Sequence, residues 1–147
     1  MEVRLAALDE ILALRHAELR PGLPLATACF DGDAEAATRH FGAFLADGTV
    51  AGCASFMRRD HDGAPAHQLR GMATRADLAG RGVGAALLRA AVAHLQQHDG
   101  ARRLWCNARV AAVPFYERMG WRAVSGVFDV PTVGPHRVMI YPASSQP

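Results

Sequence analysis

The chain has 147 residues, half of them apolar and a fifth charged, which at roughly 150 residues per domain is the length of one domain. A chain of this size buries about 68–70% of its unfolded surface, so it needs neither a disulfide nor a metal to hold a core, and a disordered tail, a collagen-like fibre and a disulfide-stapled miniprotein are excluded. Sixteen Lys and Arg against fourteen Asp and Glu leave +2 with the seven His neutral, too near balance for a dedicated nucleic-acid or membrane-surface binder.

Glu2 to Leu5 alternates, with Val3 and Leu5 on one side, and reads as a short strand. Asp9 is the expected N-cap of a helix through Leu19, with Leu8, Ile11, Leu12, Arg15 and Leu19 at helical spacing. Pro21-Gly22 stops that helix, and Leu23-Pro24 keeps the next stretch irregular. Phe30 to Ala36, acidic and Gly-containing, reads as loop or a short helix. His40 to Ala46 and Thr49 to Arg58 read as strands joined by Asp47-Gly48, the strongest local signal for a tight hairpin because it supplies positive φ angles. A second polar turn, Asp60-His61-Asp62-Gly63, leads to a strand from about Ala66 to Thr74.

The period then changes. From Gly82 to His98, the residues Val83, Leu87, Leu88, Ala91, Val92 and Leu95 mark one face of a helix, and Gly100 is its natural stop. A strand over 103–107 and a short helix to Met119 follow. Pro114 belongs in that helix's first turn, where a missing N–H does no harm, and Gly120 ends it. Two last strands, about Trp121 to Phe128 and Arg137 to Tyr141, complete the order β-α-β-β-β-α-β-α-β-β, an α/β chain with a mixed sheet. The expected organisation is one domain over residues 1–142 with a loose tail over 143–147.

The densest chemical signal is Ala79-Gly80-Arg81-Gly82-Val83-Gly84-Ala85, between a strand and the long helix. Glycines at alternate positions let a backbone approach a ligand closely. They also leave N–H groups pointing outward at a helix N-terminus, which suits a phosphate or pyrophosphate. Arg81 adds a charge-assisted contact. The plainer alternative is a turn that merely lets helix and strand pack. The P-loop form is absent, since no Lys-Ser or Lys-Thr pair follows. Gly80-x-Gly82-x-x-Ala85 matches the dinucleotide fingerprint superficially, with Asp99 near the expected distance for a ribose ligand. Two placements oppose it: residues 75–78 separate strand from glycines, and Asp99 precedes the following strand rather than ending it.

The stretch from Leu69 through Gly84 to Leu95 resembles the acyl-coenzyme A signature of the GNAT superfamily of N-acyltransferases, Q/R-x-x-G-x-G/A opening a helix. Gly82 and Gly84 fill its last two defined positions, while Ala79 stands where Arg or Gln is usual. The segment from Leu104 and Asn107 through Pro114-Phe115-Tyr116-Glu117-Arg118-Met119-Gly120-Trp121 resembles the family's F-Y-E-K/R-x-G-F/W region. Both motifs occur in the right order, and the element order is similar over almost the whole chain.

The resemblance implies a GNAT-like fold with splayed fourth and fifth strands, and transfer of an acetyl group from acetyl-coenzyme A to an amine by direct attack in a ternary complex. It implies that backbone groups of Met72, Ala73 and Thr74 bind the pantetheine arm and supply an oxyanion donor. The amides from Gly80 to Ala85 cradle the diphosphate, and Ala79 is too short to add the side-chain contact that Arg or Gln would make. Tyr116 corresponds to the general acid, since a phenol is protonated at neutral pH and donates well, and Asn107 to a pantetheine or water contact. The general base is open among His67, His40, Glu18 and His136, with His136, in Gly134-Pro135-His136-Arg137, as base or substrate contact. The acceptor would be held by 15–24 and 128–137, where Val127, Phe128 and Pro131 suggest a partly apolar pocket.

Cys29, Cys53 and Cys106 are odd in number and lack C-x-x-C spacing, as expected of reduced thiols in a cytoplasmic protein. A catalytic role for Cys106 is not expected, because a buried apolar thiol is inert. The histidines lack metal-ligand spacing, so no metal is expected. No run reaches about 18 apolar residues, and Met1-Glu2-Val3-Arg4 has no signal-peptide character. The expected partners are acetyl-coenzyme A and an amine acceptor, with neither nucleic acid nor membrane, and a homodimer is compatible with this reading. Two other classes stay open: a catalytically silent coenzyme A-binding sensor on the same fold, and a dinucleotide-dependent oxidoreductase.

Overall fold

The structure, a computed structural model, describes residues 1–143. Ser144 to Pro147, most of the expected tail, lie outside the described residues. Ala143 itself is tied: its N–H donates to the Gly120 carbonyl at 2.7 Å and its carbonyl accepts Arg122 Nε–H at 2.9 Å. Contacts divide the chain into two units, residues 1–57 with 70–100, and residues 58–69 with the chain from 101 onward. The fold is mixed α/β, with eight strands and three α-helices among the described residues.

The first unit holds β1 (Glu2–Ala6), α1 (Leu8–Leu19), a 3-10 turn (Leu25–Ala28), β2 (Arg39–Phe44), most of β3 (Val50–Arg58), the end of β4 (His67–Thr74) and α2 (Val83–His98). Its strands run in the order β1-β2-β3-β4. β1 and β2 pair antiparallel through Leu5 and Phe41, and β2 and β3 through Phe41 and Ala54. The N-cap of α1 is Ala7, not Asp9. Glu10 reaches back to accept the Ala7 N–H at 2.9 Å, and Arg4 pairs with the same carboxylate at 2.9 Å. Asp9 sits in the first turn, where it complements the helix dipole. The buried face of α1 is Ile11, Leu14 and Arg15, while Leu8, Leu12 and Leu19 are only partly covered.

On α2, Val83, Leu87, Leu88, Ala91, Val92 and Leu95 are all buried, the same six that the 3.6-residue period selects. Gly52 on β3 lets this helix come close. A Cβ there would lie 3.0 Å from Val83 Cγ1 and 3.3 Å from Leu87 Cδ2, and 3.4 Å from the Ala73 carbonyl oxygen of β4. One glycine thus brings the first turn of α2 against the end of β4.

The turn between β2 and β3 differs from expectation. Only Gly48 is left-handed, with φ 88°. The loop closes from Leu45 to Thr49, beside a register shift at Ala43/Phe44, and Asp47 accepts both the backbone N–H and the hydroxyl of Thr49 at 2.9 and 2.7 Å. Asp47 acts through its side chain rather than through a positive φ. The tight turn with two successive positive φ values is Asp62-Gly63 (52° and 78°), closed by His61 and Ala64 bonding each other at 2.9 and 3.0 Å.

The second unit holds that turn, the start of β4, β5 (Leu104–Arg109), a 3-10 turn (Val110–Ala112), α3 (Val113–Arg118), β6 (Arg122–Ala123), β7 (Phe128–Val130) and β8 (Gly134–Tyr141). β4 and β5 run parallel over three pairs, His67 with Leu104 to Leu69 with Cys106. β8 pairs antiparallel with β5 from Leu104/Tyr141 to Arg109/His136 and also pairs with β6 and β7. The single strand expected over 121–128 is therefore two pieces, and the chain ends in three strands. The cause is Ser125: its Oγ accepts the Val138 N–H at 2.8 Å and its carbonyl accepts Arg137 Nε–H at 3.0 Å, so a side chain replaces the ladder at that point.

The most consequential buried group is Arg15, with no exposed surface. Its Nη1 and Nη2 donate to the two carboxylate oxygens of Asp33 at 2.7 and 3.1 Å, to the Ala28 carbonyl at 3.0 Å and to Ser55 Oγ at 2.7 Å. Removing one member of a buried pair leaves an uncompensated charge, which costs about 3–5 kcal/mol. Asp33→Ala is expected to lower the unfolding free energy by that amount in urea titration, and a loss below about 1 kcal/mol would show that the pair does not hold this unit.

Candidate active site

The sequence-derived site residues fall in both units. In the first, the end of β4 carries a left-handed glycine: Gly71 has φ +65°, and a Cβ there would lie 2.8 Å from Arg15 Nε and 2.9 Å from Phe30 Cε2. The Cys53 thiol donates to the Gly71 carbonyl at 3.5 Å. Met72, Ala73 and Thr74 follow, with Ala73 buried in the cluster of Ile11, Leu14 and Cys53. The Arg75 N–H donates to the Ala51 carbonyl at 2.9 Å and fixes the end of the strand.

From there the chain is braced rather than loose. Arg75 Nε and Nη2 clamp both oxygens of Asp77 at 2.9 and 2.8 Å across a 3-10 turn over Ala76–Leu78. This bidentate pair holds the exposed Asp77 carboxyl below its ordinary range. The Arg81 N–H returns to the Leu78 carbonyl at 3.3 Å. Gly80 and Gly82 then take φ of +77° and +82°, conformations that disfavour any side chain. Nothing lies within 4 Å of where a Cβ would stand at either. Gly82 is the N-cap of α2, and the Ala86 N–H returns to its carbonyl at 3.0 Å. The amides of Val83, Gly84 and Ala85 have no acceptor inside the helix. A row of donors at the positive end of a 16-residue helix, beside open space, fits a diphosphate. Ala79, Gly80, Arg81 and Gly82 are exposed. Asp99 caps the other end of α2 and pairs with Arg39 at 3.2 Å. At 1.5 Å per residue that is ~24 Å from the glycines, so it cannot serve as a ribose ligand beside them.

In the second unit, Tyr116 lies on α3 and is 7% exposed. Its ring packs against Phe115 at 5.2 Å and Trp121 at 5.3 Å, and its carbonyl accepts the Trp121 N–H at 3.0 Å. Burial, with the neighbouring Cys106 second, raises the phenol well above its ordinary pKa of 10, so it stays a donor throughout the neutral range. Asn107 is exposed on β5 opposite Val138. His136 on β8 is buried, with Nδ1 2.7 Å from the Gly134 carbonyl. That carbonyl only accepts, which assigns the neutral ring's proton to Nδ1 and leaves Nε2 a lone pair.

Of the other candidate bases, His40 is buried with both ring nitrogens engaged, Nδ1 to Ser55 Oγ at 2.6 Å and Nε2 to the Asp33 carbonyl at 3.0 Å. It belongs to the Arg15 network and props the fold. His67 is buried on β4, and Glu18 is half-buried on α1. Sequence reasoning misses the network of Arg15, Asp33, Ser55 and His40, the Phe30 ring and the Arg75–Asp77 clamp. One signal is present: Arg15 stands at a helical spacing shared with apolar residues. Among the described residues, no group of three or more His, Cys, Asp and Glu could hold a metal ion, and no helix is long and apolar enough to cross a membrane.

The chain matches the acetyltransferase (GNAT) family over residues 5–121. It is 32% identical over 142 residues to the uncharacterized N-acetyltransferase YitI of Bacillus subtilis, covering 95% of this chain and 94% of that protein. Its fold is similar to the crystal structure of Escherichia coli ElaA, with TM-score 0.77 at 19% identity over 95% of this chain and 97% of that one. It is also similar to an aminoglycoside 6'-N-acetyltransferase complexed with coenzyme A, with TM-score 0.74 at 14% identity over 100% and 99%.

The thiols separate by environment. Cys106 and Cys53 are buried, and burial raises both, Cys53 to about 11. At neutral pH each is a protonated, poor nucleophile. Cys29 is exposed. Titration of the folded protein with a chromogenic disulfide at pH 8 is therefore expected to release one equivalent fast, from Cys29, and the remaining two only on denaturation. A fast second equivalent would show that a buried thiol is open to reaction.

Proposed function

This chain belongs to the GNAT family of acetyltransferases, and we propose that it moves an acetyl group from acetyl-coenzyme A to the amine of a small molecule or protein, by direct attack in a ternary complex. What carries the reading is the left-handed turn at Gly80 and Gly82, where open space meets the unbonded amides that begin α2. That combination suits a pyrophosphate, and a structure complexed with coenzyme A has a similar fold.

When bound, acetyl-coenzyme A supplies an acetyl carbonyl activated as a thioester. The amides from Gly82 to Ala85 hold the diphosphate, and with Ala79 in place of a long polar side chain the grip is a backbone one. Backbone groups of Met72, Ala73 and Thr74 align the pantetheine arm, and one N–H among them takes up the charge that develops on the carbonyl oxygen. Asn107 contacts the same arm. The attacking ammonium must first lose a proton, for which the Nε2 lone pair of His136 is the proposed acceptor. The Tyr116 phenol O–H then gives its proton to the departing sulfur, and burial keeps the phenol protonated through the neutral range until that point.

Acetyl-coenzyme A at 100 times its dissociation constant is expected to stabilise the fold by about 2.7 kcal/mol, a rise of a few degrees in melting temperature. Gly82→Asp puts a carboxylate among the amides and is expected to abolish that rise. Stabilisation by NAD with none by coenzyme A would overturn the assignment. Tyr116→Phe is expected to keep the rise and to lower kcat by about 10²–10⁴-fold in a free-thiol release assay. Wild-type binding without turnover of any amine would instead mark the silent coenzyme A binder, a reading to which Ala79 gives some weight.

A further inference from the structure

The expectation that the histidines lack metal-ligand spacing overlooks one pair. His94 and His98 stand four residues apart in the last turns of α2, on one face of the helix. Their ring centroids lie 4.4 Å apart, with the planes tilted by 36°. Two imidazole nitrogens can reach one ion across that gap, because each needs only a metal–nitrogen bond of about 2.0–2.1 Å. His94 is half-buried and packs at 5.4 Å against the Phe41 ring of β2, which limits where its ring can turn, while His98 is exposed. Among the described residues, no hydrogen bond occupies a nitrogen of either ring.

The surroundings suit a cation. Burial first, and the charge of His98 second, lower the pKa of His94, so at neutral pH its ring is uncharged and carries a lone pair, the form that binds a metal. The negative end of the helix dipole lies in the same turn. Arg39 is the one cation that also acts on His94. Asp99 answers it, with Oδ1 accepting from Nη2 at 3.2 Å, and its Nη1 turns to the Ala36 and Thr38 carbonyls at 3.0 and 3.4 Å. The other carboxylate oxygen, Asp99 Oδ2, is buried with no hydrogen-bond partner. Asp99 follows His98 in sequence and acts electrostatically on His94, so an unsatisfied acceptor of negative charge accompanies the pair. A buried acceptor without a donor is rare in a folded chain.

We propose that His94 and His98 together bind one late first-row divalent transition metal of the kind that favours imidazole, Ni²⁺, Cu²⁺ or Zn²⁺. Water completes the coordination, and Asp99 Oδ2 accepts from a metal-bound water rather than ligating the ion. Only the helical backbone brings the two rings together, so the metal is a clip on the folded end of α2. This site lies at the opposite end of the helix from Gly82, and the proposal does not depend on the acetyltransferase reading.

The test titrates Ni²⁺ into the whole, untagged protein at neutral pH by calorimetry, with Cys29→Ser as background so that the exposed thiol takes no metal. One equivalent is expected to bind, and the melting temperature is expected to rise with Ni²⁺ concentration. Mg²⁺, which prefers oxygen ligands, is expected to do neither. His94→Gln and His98→Gln are each expected to weaken binding at least about tenfold, because either change breaks the chelate. The double variant should lose little more than one single variant does. His61→Gln, at a half-buried histidine in the second unit, should leave the affinity as it is. If a variant fails to fold, paramagnetic broadening of the His94 and His98 imidazole signals by Ni²⁺ in the Cys29→Ser protein reads the same contact. No Ni²⁺ binding, a melting rise given equally by Mg²⁺, an affinity unmoved by both His94→Gln and His98→Gln, an equal loss from His61→Gln, or broadening confined to other histidines would overturn the proposal.

Discussion

A guanidinium with no solvent contact must be neutralised where it sits, and the architecture of the first unit answers that demand at Arg15. Asp33, the Ala28 carbonyl and Ser55 each satisfy part of the fork. In doing so they bind α1 to the loop that follows it and to β3. Ser55 passes the connection on to His40 of β2, whose other nitrogen returns to the loop at the Asp33 carbonyl. Arg15 Nε has no hydrogen-bond partner, and the Phe30 ring against the guanidinium is its electrostatic compensation. A loop that would otherwise be an irregular connection is thereby held to the sheet, with polar interactions in place of an apolar core.

Features governed by local physics are legible in the residues. The buried face of α2 follows from a 3.6-residue period unbroken over four turns, and Gly80 and Gly82 are readable as a special turn because few other residues tolerate their φ. Features governed by distant partners are not. Arg15 meets Asp33 eighteen residues on and Ser55 forty residues on, and no pattern within a helix-length window joins them. The hairpin at Asp47-Gly48 lies where its residues place it, but its form depends on a register shift in the neighbouring strand. Likewise the last hairpin reads as continuous because Trp121 to Phe128 is apolar enough for a strand, whereas Ser125 competes for the ladder from outside any propensity scale. At the site, residue types and order are readable. The bracing of the glycine turn by Arg75 and Asp77 is not, because a charge pair two residues apart carries no motif.

Protonation is arranged by depth. Tyr116, Cys53 and Cys106 are all pushed upward by burial, so all three stay neutral even at mildly alkaline pH. The one suited to act as a strong hydrogen-bond donor is the phenol, and sulfur chemistry is suppressed at the two thiols that lie within the fold. The amides opening α2 present partial positive charge without titrating at all. That partial charge is therefore independent of pH across the range in which side chains change state.

The split of the last hairpin has a further bearing. An outer strand displays unpaired amides and carbonyls that a second molecule can extend into a shared ladder, the first step toward fibrillar assembly. By interrupting at Ser125, the chain leaves outer segments of two and three residues. Templates that short offer too little ladder to recruit another copy, and a sequence that is half apolar is guarded against self-association there by one hydroxyl.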